Sequence, residues 1–245
     1  MPMHFGLQVR SGRKYGLRLR RDEYAPINKR SSLYEAQEFT SPTSRELTDR
    51  YFEDEERRIY TDEYCEFMRD CALRNFDLNI AHFGRLDRAN FETALENLRT
   101  QFPDFKEVHD LNDWAGVGGL YVMVLDDYCQ AYIGVSSDVR RRIPEHWRAS
   151  KELDRLIWGT VETSILSVDS FRAFDTTRIF AAQNRSPYPL EERIVATFPK
   201  EFLINRLAGG RMPADMTLLD VVARTRTREL VGDLRRGGAA NATHT

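Results

Sequence analysis

Length, composition and charge set the first limits on this chain. It has 245 residues, of which 41% are hydrophobic and 30% are charged, and its formal net charge is −2 at pH 7. This composition is typical of a soluble globular protein with one large or two small domains, and no apolar run approaches the length of a membrane span. The N-terminus lacks an apolar signal core and the cysteines number three, so we expect reduced thiols and a cytoplasmic protein with no membrane partner.

The first 112 residues are predicted to form a mainly helical N-terminal region. Alternating apolar residues predict a hairpin between His4 and Arg20 that turns at Ser11-Gly12. Apolar residues at helical spacing predict helices over 44–76 and 88–102. A role for this region in binding a substrate or a partner is open.

Charge is strongly polarised along the same region. Residues 1–30 carry eight basic side chains against two acidic ones, whereas residues 31–70 carry twelve acidic side chains against five arginines. Either these groups pair with each other as solvated faces, or the basic group contacts phosphates. A second basic group follows later in the chain and consists of Arg140, Arg141, Arg142, Arg148, Lys151 and Arg155.

The pattern of apolar residues after residues 112–113 predicts a small sheet. Two apolar runs rich in β-branched and aromatic residues, 120–125 and 131–135, are joined by a short polar stretch and indicate a β-hairpin. Both faces of the first run are apolar, so we expect these strands inside a domain. Residues 162–168 predict a third strand. We therefore expect an α+β protein whose small three-stranded antiparallel sheet is flanked by helices.

A basic helix is predicted after the hairpin. Ser136 or Ser137 offers its N-cap, and Arg142 and His146 share one face because they lie four positions apart. Pro144 falls inside this helix, where it is expected to kink or end it.

The rest of the chain holds two further predicted helices. The first opens at Ser186 and stops at Pro199. A domain over residues 113–210 would then be followed by a C-terminal helix over 211–236 and by a small, polar, disordered tail over 237–245.

The hairpin and the basic helix together carry a resemblance to a known family. Gly119-Leu120-Tyr121 and Tyr132-Ile133-Gly134 stand in this order, with their tyrosines eleven positions apart. Arg142-Ile143 and His146 follow on the helix. This ordered set resembles the GIY-YIG nuclease family over about residues 115–210, with Leu in place of Ile in the first tripeptide.

The resemblance implies a set of catalytic residues. It implies Tyr121 as the base or as the residue that positions water, with Tyr132 and His146 hydrogen-bonded around it. Arg142 would stabilise the phosphate, and Asn205 would support the site. Taken singly, the two tyrosines are better explained as strand aromatics in a core, and the histidine as a capped surface residue. The set taken together favours a site.

Two acids compete for the metal-binding position that the resemblance implies. The family's acid is followed by apolar residues three, four and about seven positions further on. Glu191 meets this spacing, whereas Glu192 would place Pro199 at the last position, so the spacing favours Glu191. Asn205 lies fourteen positions after it. The structural alternative for Glu191 is that acids in the first turn of a helix are favoured by its dipole.

The implied function is a metal-dependent endonuclease that hydrolyses phosphodiester bonds in nucleic acid, with DNA favoured over RNA and with restriction, defence or mobile-element biology as the setting. Such chemistry needs Mg²⁺ (or Mn²⁺) on a carboxylate, a guanidinium on the phosphate, and a base that takes a proton from water. A tyrosine can be that base if nearby positive charge lowers its pKa. The alternative is a non-catalytic nucleic-acid-binding or regulatory protein on the same scaffold. The basic residues expected to contact nucleic acid are Arg140, Arg141, Arg148 and Lys151.

Overall fold

The computed structural model describes residues 1–10, 16–32, 48–207 and 225–230, which form an α+β fold, as the sequence predicts. The strands are β1 (Met3–His4), β2 (Leu7–Gln8), β3 (Lys106–Glu107), β4 (Gly119–Leu125), β5 (Gln130–Ser136) and β6 (Arg178–Gln183). The helices are α1 (Arg21–Tyr24), α2 (Asp62–Phe83), α3 (Arg88–Gln101), α4 (Val139–Arg148) and α5 (Pro187–Thr197). None of the helices in this described part is both long and apolar enough to cross a bilayer.

The central sheet has four antiparallel strands in the order β3-β6-β4-β5, not the predicted three. The predicted hairpin is confirmed as β4 and β5. The predicted strand over 162–168 is wrong, because these residues form no strand and β6 takes the place beside β4. They are instead a buried irregular segment, in which the backbone carbonyl of Ser164 accepts hydrogen bonds from the side-chain amides of Asn75 and Asn79, each at 2.9 Å.

Both faces of β4 are buried, as the apolar pattern predicts, and all seven of its residues are inaccessible. The face of Tyr121 belongs to a core that includes Phe76 of α2 and Ile143 of α4. The opposite face, which includes Val122, belongs to a second core with residues of α3 and α5, such as Leu95. The sheet is therefore covered by helices on both sides, and the N-terminal region shares the core on which Tyr121 lies.

The N-terminal region differs from its prediction in two elements. The first hairpin turns at Phe5-Gly6, where both residues have positive φ. The turn predicted at Ser11-Gly12 lies outside the described residues. The predicted helix over 44–76 is wrong over residues 49–61, because α2 begins at Asp62 with Thr61 as its cap, while Phe52 pairs with Tyr60 in an antiparallel bridge. Residues 44–47 of that prediction lie outside the described residues. The helix predicted over 88–102 is confirmed as α3.

The predicted C-terminal helix over 211–236 is wrong over residues 225–230. Thr225 forms an antiparallel bridge with Leu207, and the backbone N–H of Arg228 donates to the carbonyl of Thr163 at 2.9 Å. The rest of that predicted helix, and the tail predicted to be disordered over 237–245, lie outside the described residues.

Candidate functional site

Tyr121 lies at the centre of the candidate site. It comes from β4 and is only 1% exposed. Opposite it on β5 stands Gly134, where a Cβ atom would come within 2.6 Å of the tyrosine hydroxyl oxygen. The ring of Tyr132, also on β5, has its centroid 6.1 Å from that of Tyr121. The glycine is therefore what allows the Tyr121 ring to lie against β5.

The basic helix α4 begins one or two residues later than predicted. Asp138 is its cap, because its side chain accepts a hydrogen bond from the backbone N–H of Arg141 at 2.9 Å. Ser136, one of the two predicted caps, instead accepts a hydrogen bond from the backbone N–H of Asp138 at 3.0 Å. It shapes the turn that leads into the helix, so the predicted cap at Ser136 or Ser137 is wrong.

Pro144 does not end α4, which continues past it to Arg148. Proline removes one helical hydrogen bond, and burial of its apolar ring offsets part of that loss. The hydrogen bond from the backbone N–H of Ala149 to the carbonyl of Glu145, at 2.9 Å, closes the last turn. The helix therefore carries Arg142 and His146 on successive turns.

His146 connects the tyrosines to a carboxylate. It is 1% exposed, its Nε2 lies 2.7 Å from the Tyr121 hydroxyl oxygen, and its Nδ1 lies 2.7 Å from Oδ1 of Asp169. Its ring centroid is 5.1 Å from that of Tyr132. The other oxygen of Asp169 lies 3.0 Å from Nζ of Lys151. Four side chains from four separate segments thus form one hydrogen-bonded network, in the order Tyr121, His146, Asp169 and Lys151.

Of the four hydrogen-bonded side chains, Asp169 is the one that was not predicted from the sequence. It lies on a short 3-10 helix, Val168–Ser170, directly after the segment that was interpreted as a strand. Its contact with His146 spans 23 positions, so no local spacing indicates it. The one local signal is Ser167, whose hydroxyl accepts a hydrogen bond from the backbone N–H of Asp169 at 3.3 Å.

The protonation states follow from burial and charge. Burial lowers the pKa of His146 below its usual 6.5, although the hydrogen bond with Asp169 acts in the opposite direction. Burial alone would raise the pKa of Asp169, but the hydrogen bond with His146 and the charge of Lys151 bring it down to about 2. At pH 7 the imidazole is therefore neutral and the carboxylate is ionised. A carboxylate only accepts, so Nδ1–H of His146 donates to Asp169 and Nε2 accepts from the hydroxyl of Tyr121.

Tyr121 keeps its proton at neutral pH. Burial raises its pKa well above the usual 10, and this effect outweighs the positive charge of Arg142, which lowers it. Burial also raises the pKa of Tyr132. The condition under which a tyrosine could be the base, a pKa lowered by nearby positive charge, is therefore not met by Tyr121 among the described residues. Tyr121 can take up a proton only while it gives one away, and its hydrogen-bond acceptor is His146.

Glu191 is a buried carboxyl group on α5. It is 1% exposed, and its Oε1 has no hydrogen-bond partner within the described residues. Burial raises its pKa to about 7, and the charge of the neighbouring Glu192 adds to the effect. Glu192 is exposed, so the helix register agrees with the choice of Glu191. Because α5 begins at Pro187, Glu191 lies beyond the first turn, and the helix dipole does not account for it.

Glu191 is the carboxylate that the sequence resemblance assigns to a metal ion. Its negative charge raises the pKa of both Tyr132 and Tyr121, so its field reaches the two hydroxyls. Among the described residues there is no cluster of three or more His, Cys, Asp or Glu side chains that could bind a metal. A single orphaned carboxylate fits Mg²⁺, because this ion keeps several waters and is bound through one or two carboxylates together with substrate phosphates.

Asn205 holds the outer edge of β5. Its Oδ1 accepts from the backbone N–H of Ile133 at 3.0 Å, and its Nδ2 donates to the carbonyl of the same residue at 2.7 Å. β5 is the edge strand of the sheet, so its outward backbone groups need such a partner. Asn205 thereby fixes the strand between Tyr132 and Gly134.

A cavity of about 650 Å³ opens beside these residues. Tyr132, His146 and Asn205 line it on one side. Its cationic lining residues are Arg142, Lys151, Arg155 and Arg206, against the two acids Asp154 and Asp169. Both acids already accept hydrogen bonds, Asp154 from Tyr60 at 3.0 Å and Asp169 from His146. The cavity is therefore suited to an anionic group.

The basic residues expected to contact nucleic acid fall into two places. Lys151 lines the cavity, whereas Arg140, Arg141 and Arg148 line a separate groove of about 1000 Å³ on the outer side of α4. Arg10 joins this groove from the N-terminal region. Arg140 also donates to the side chain of Asn112 at 2.9 Å.

Four of the six predicted site residues, Tyr132, Arg142, His146 and Asn205, line the cavity. Tyr121 lies behind them, hydrogen-bonded to His146, whereas Glu191 is buried on α5 and is not part of the cavity lining. Compared with known proteins, the chain matches no protein-family model, no curated protein and no solved structure.

Proposed function

We propose that this protein is a metal-dependent endonuclease of the GIY-YIG type, which hydrolyses phosphodiester bonds in nucleic acid, with DNA as the favoured substrate. The observation that carries the proposal is the 2.7 Å hydrogen bond between the Tyr121 hydroxyl and a neutral, buried His146. A hydroxyl whose proton is accepted by an imidazole is an activated oxygen, and it stands next to a cavity with excess positive charge.

Arg142 is the residue that would hold the phosphate. Its side chain is 43% exposed, lines the cavity, and has one nitrogen 3.1 Å from Oε2 of Glu145. A guanidinium stays charged and binds two phosphate oxygens at once. Its guanidinium also interacts with the side chain of Tyr121, and its charge would stabilise the negative charge that develops on the phosphorus oxygens.

Tyr121 and His146 would move the proton together. The oxygen of Tyr121 takes a proton from the attacking water while its own proton passes to Nε2 of His146. The water oxygen forms a bond to phosphorus as the bond to the leaving oxygen breaks, and the leaving group departs with the electron pair. Tyr121 is neutral before and after the step, so its high pKa is compatible with this role.

Glu191 would hold Mg²⁺ (or Mn²⁺), since its buried Oε1 has no other partner in the described structure. When bound, such an ion supplies positive charge beside the leaving oxygen. The carboxylate must be ionised to bind it, and burial has raised the pKa of Glu191 to about 7. Metal binding would therefore release a proton at neutral pH.

The test is incubation of the purified protein with plasmid, single-stranded DNA and RNA, each with Mg²⁺, with Mn²⁺ and with EDTA. We expect cleavage with the metal ions, none with EDTA, and cleavage slowed by about 10²–10⁴-fold in the Tyr121→Phe variant. Cleavage that persists in EDTA, or that proceeds at the wild-type rate in Tyr121→Phe, contradicts the proposal. Binding without cleavage under every condition would support the non-catalytic alternative.

A further inference from the structure

We propose that Asp169 is a positioning residue, which fixes His146 in the tautomer with its proton on Nδ1 and so turns the Nε2 lone pair toward Tyr121. The placement of the proton rests on the geometry around a neutral ring. Its consequence for cleavage rests on the proposed function.

For a neutral ring, the geometry leaves one arrangement of hydrogens. The two ring nitrogens of His146 each lie 2.7 Å from an oxygen, the hydroxyl of Tyr121 and the carboxylate of Asp169. Asp169 is also 3.0 Å from the ammonium group of Lys151, which keeps it ionised. An ionised carboxylate has no hydrogen to give, so the hydrogen between it and the ring belongs to Nδ1.

Without Asp169, no hydrogen bond at Nδ1 favours the tautomer of the neutral ring that has its proton on Nδ1. The other tautomer would direct N–H of Nε2 at the oxygen of Tyr121, which would leave the hydroxyl proton without an acceptor. In the comparable Ser-His-Asp arrangement, replacing the aspartate with asparagine leaves the geometry intact, but the wrong tautomer lowers turnover by about 10⁴-fold.

Asp169 is itself held in place from several sides. Ser167 accepts from its backbone N–H, and Arg172 donates to its backbone carbonyl at 3.2 Å. Its side chain is only 16% exposed. These contacts use the backbone, so a change of the side chain alone leaves the 3-10 helix with its own hydrogen bonds.

Several charged or titratable groups face His146 and enter any pH profile. Arg142 and Glu145 act from its own helix, while Tyr121, Tyr132, Asp169 and Lys151 act from the strands and from the following segments.

The first experiment measures the tautomer directly, by ¹⁵N NMR of the imidazole nitrogens in protein labelled at its five histidines. The His146→Gln variant identifies the resonances of His146. At pH 8 we expect a protonated Nδ1 and an unprotonated Nε2 in the wild type. Asp169→Asn should shift the ring toward the other tautomer, because its amide can donate to Nδ1. Asp154→Asn is the matched control, since it changes another carboxylate of the same cavity, which accepts from Tyr60 and not from His146, and it should leave the tautomer unchanged.

The wild-type spectrum decides the proposal even if a variant fails to fold. A proton on Nε2 in the wild type overturns it. So does an unchanged tautomer in both Asp169→Asn and Asp169→Ala, when both have thermal melts like the wild type. Loss of the tautomer preference in these variants supports it.

The second experiment measures cleavage at saturating and subsaturating substrate. We expect Asp169→Asn to lower kcat by about 10⁴-fold with little change in KM, and Asp169→Glu to recover part of it, because a carboxylate is restored. An unchanged kcat in a folded Asp169→Asn variant would overturn the role in cleavage. If the wild type cleaves nothing, the nuclease proposal fails, and the NMR result still decides whether Asp169 sets the tautomer.

Discussion

The hydroxyl oxygen of Tyr121 lies 2.7 Å from Nε2 of His146, although the two residues are 25 positions apart. Strand β4 supplies the first and helix α4 the second, and both side chains are 1% exposed. A buried pair of this kind shields its hydrogen bond from water. The pair is therefore the part of the site on which the cleavage hypothesis can be tested most directly.

We predict that Tyr121→Phe and His146→Gln each lower the rate of cleavage by about 10²–10⁴-fold, the range for loss of a general acid–base group. The double variant should be hardly slower than either single variant, because both residues serve one proton transfer. Rates are measured with saturating substrate and metal. Tyr128→Phe is the control, since it removes a hydroxyl that donates to Asp175 at 3.1 Å outside the cavity. Additive losses in the double variant would contradict a shared role.

A second prediction concerns Gly134. Ala at this position would bring its Cβ within 2.6 Å of the Tyr121 hydroxyl oxygen and 2.9 Å of the Tyr132 ring. We expect Gly134→Ala to displace Tyr121, to reduce cleavage strongly, and to cost about 1–3 kcal/mol of unfolding free energy from overpacking. Gly84→Ala is the matched control, because its Cβ would meet nothing closer than 3.6 Å. If Gly134→Ala cleaves at the wild-type rate, the close packing of Tyr121 against β5 does not matter for the site.

The third prediction concerns Glu191 and pH. Its pKa is raised from 4.5 to about 7 in the folded protein, so the folded state holds a proton that the unfolded state has lost. The associated stability is present below pH 4.5 and is lost as pH rises through about 7. Relative to Glu191→Gln, the wild type should therefore lose about 2–3 kcal/mol of unfolding free energy between pH 5 and pH 8. Denaturant unfolding at the two pH values measures this difference.

Stabilisation by Mg²⁺ is a second measurement that compares Glu191→Gln with the wild type. Saturating Mg²⁺ at pH 8 should stabilise the wild type, because the ion binds the folded state, and should leave Glu191→Gln unchanged. Glu192→Gln is the control, since this neighbour is exposed and has no place in the buried site. Equal stabilisation of Glu191→Gln and the wild type would show that Glu191 is not the metal ligand.

Three elements show how much of the fold could be predicted from the sequence. The β4–β5 hairpin could be predicted because both runs are apolar on each face, which is a local property. Strand β6 was missed because its central run, Ile179 to Ala182, is half alanine, a residue that is depleted in strands. Residues 162–168 were mistaken for a strand because burial and β-branched residues are shared by strands and by buried irregular segments, and here asparagine side chains provide the hydrogen bonds.

The candidate site also has features that could be predicted from the sequence and features that could not. The register of α5 follows from apolar spacing, so the burial of Glu191 together with Ile194 and Val195 could be predicted. The position of Asp169 against His146 could not, since it depends on how the segment after α4 folds back over the helix. The direction of the pKa shift of Tyr121 could not be predicted either, because burial, which sequence alone does not give for one atom, outweighs the charge of Arg142.

The last prediction separates binding from cleavage. Arg140, Arg141 and Arg148 are exposed and line the outer groove, whereas Arg142 lines the cavity beside His146. If the outer arginines contact phosphates, their combined replacement by Gln should weaken binding and reduce the slope of log affinity against log salt by about 0.9 per lost contact. Cleavage of bound substrate in a single turnover should stay near the wild-type rate. Arg142→Gln should instead leave binding nearly unchanged and lower the single-turnover rate, because removing one charge stabiliser costs on the order of 10²–10³ in rate. Both variants are compared at matched thermal stability. A salt slope that the outer variant leaves unchanged would remove the groove from the nucleic-acid interface, and a single-turnover rate that Arg142→Gln leaves unchanged would remove Arg142 from the phosphate site.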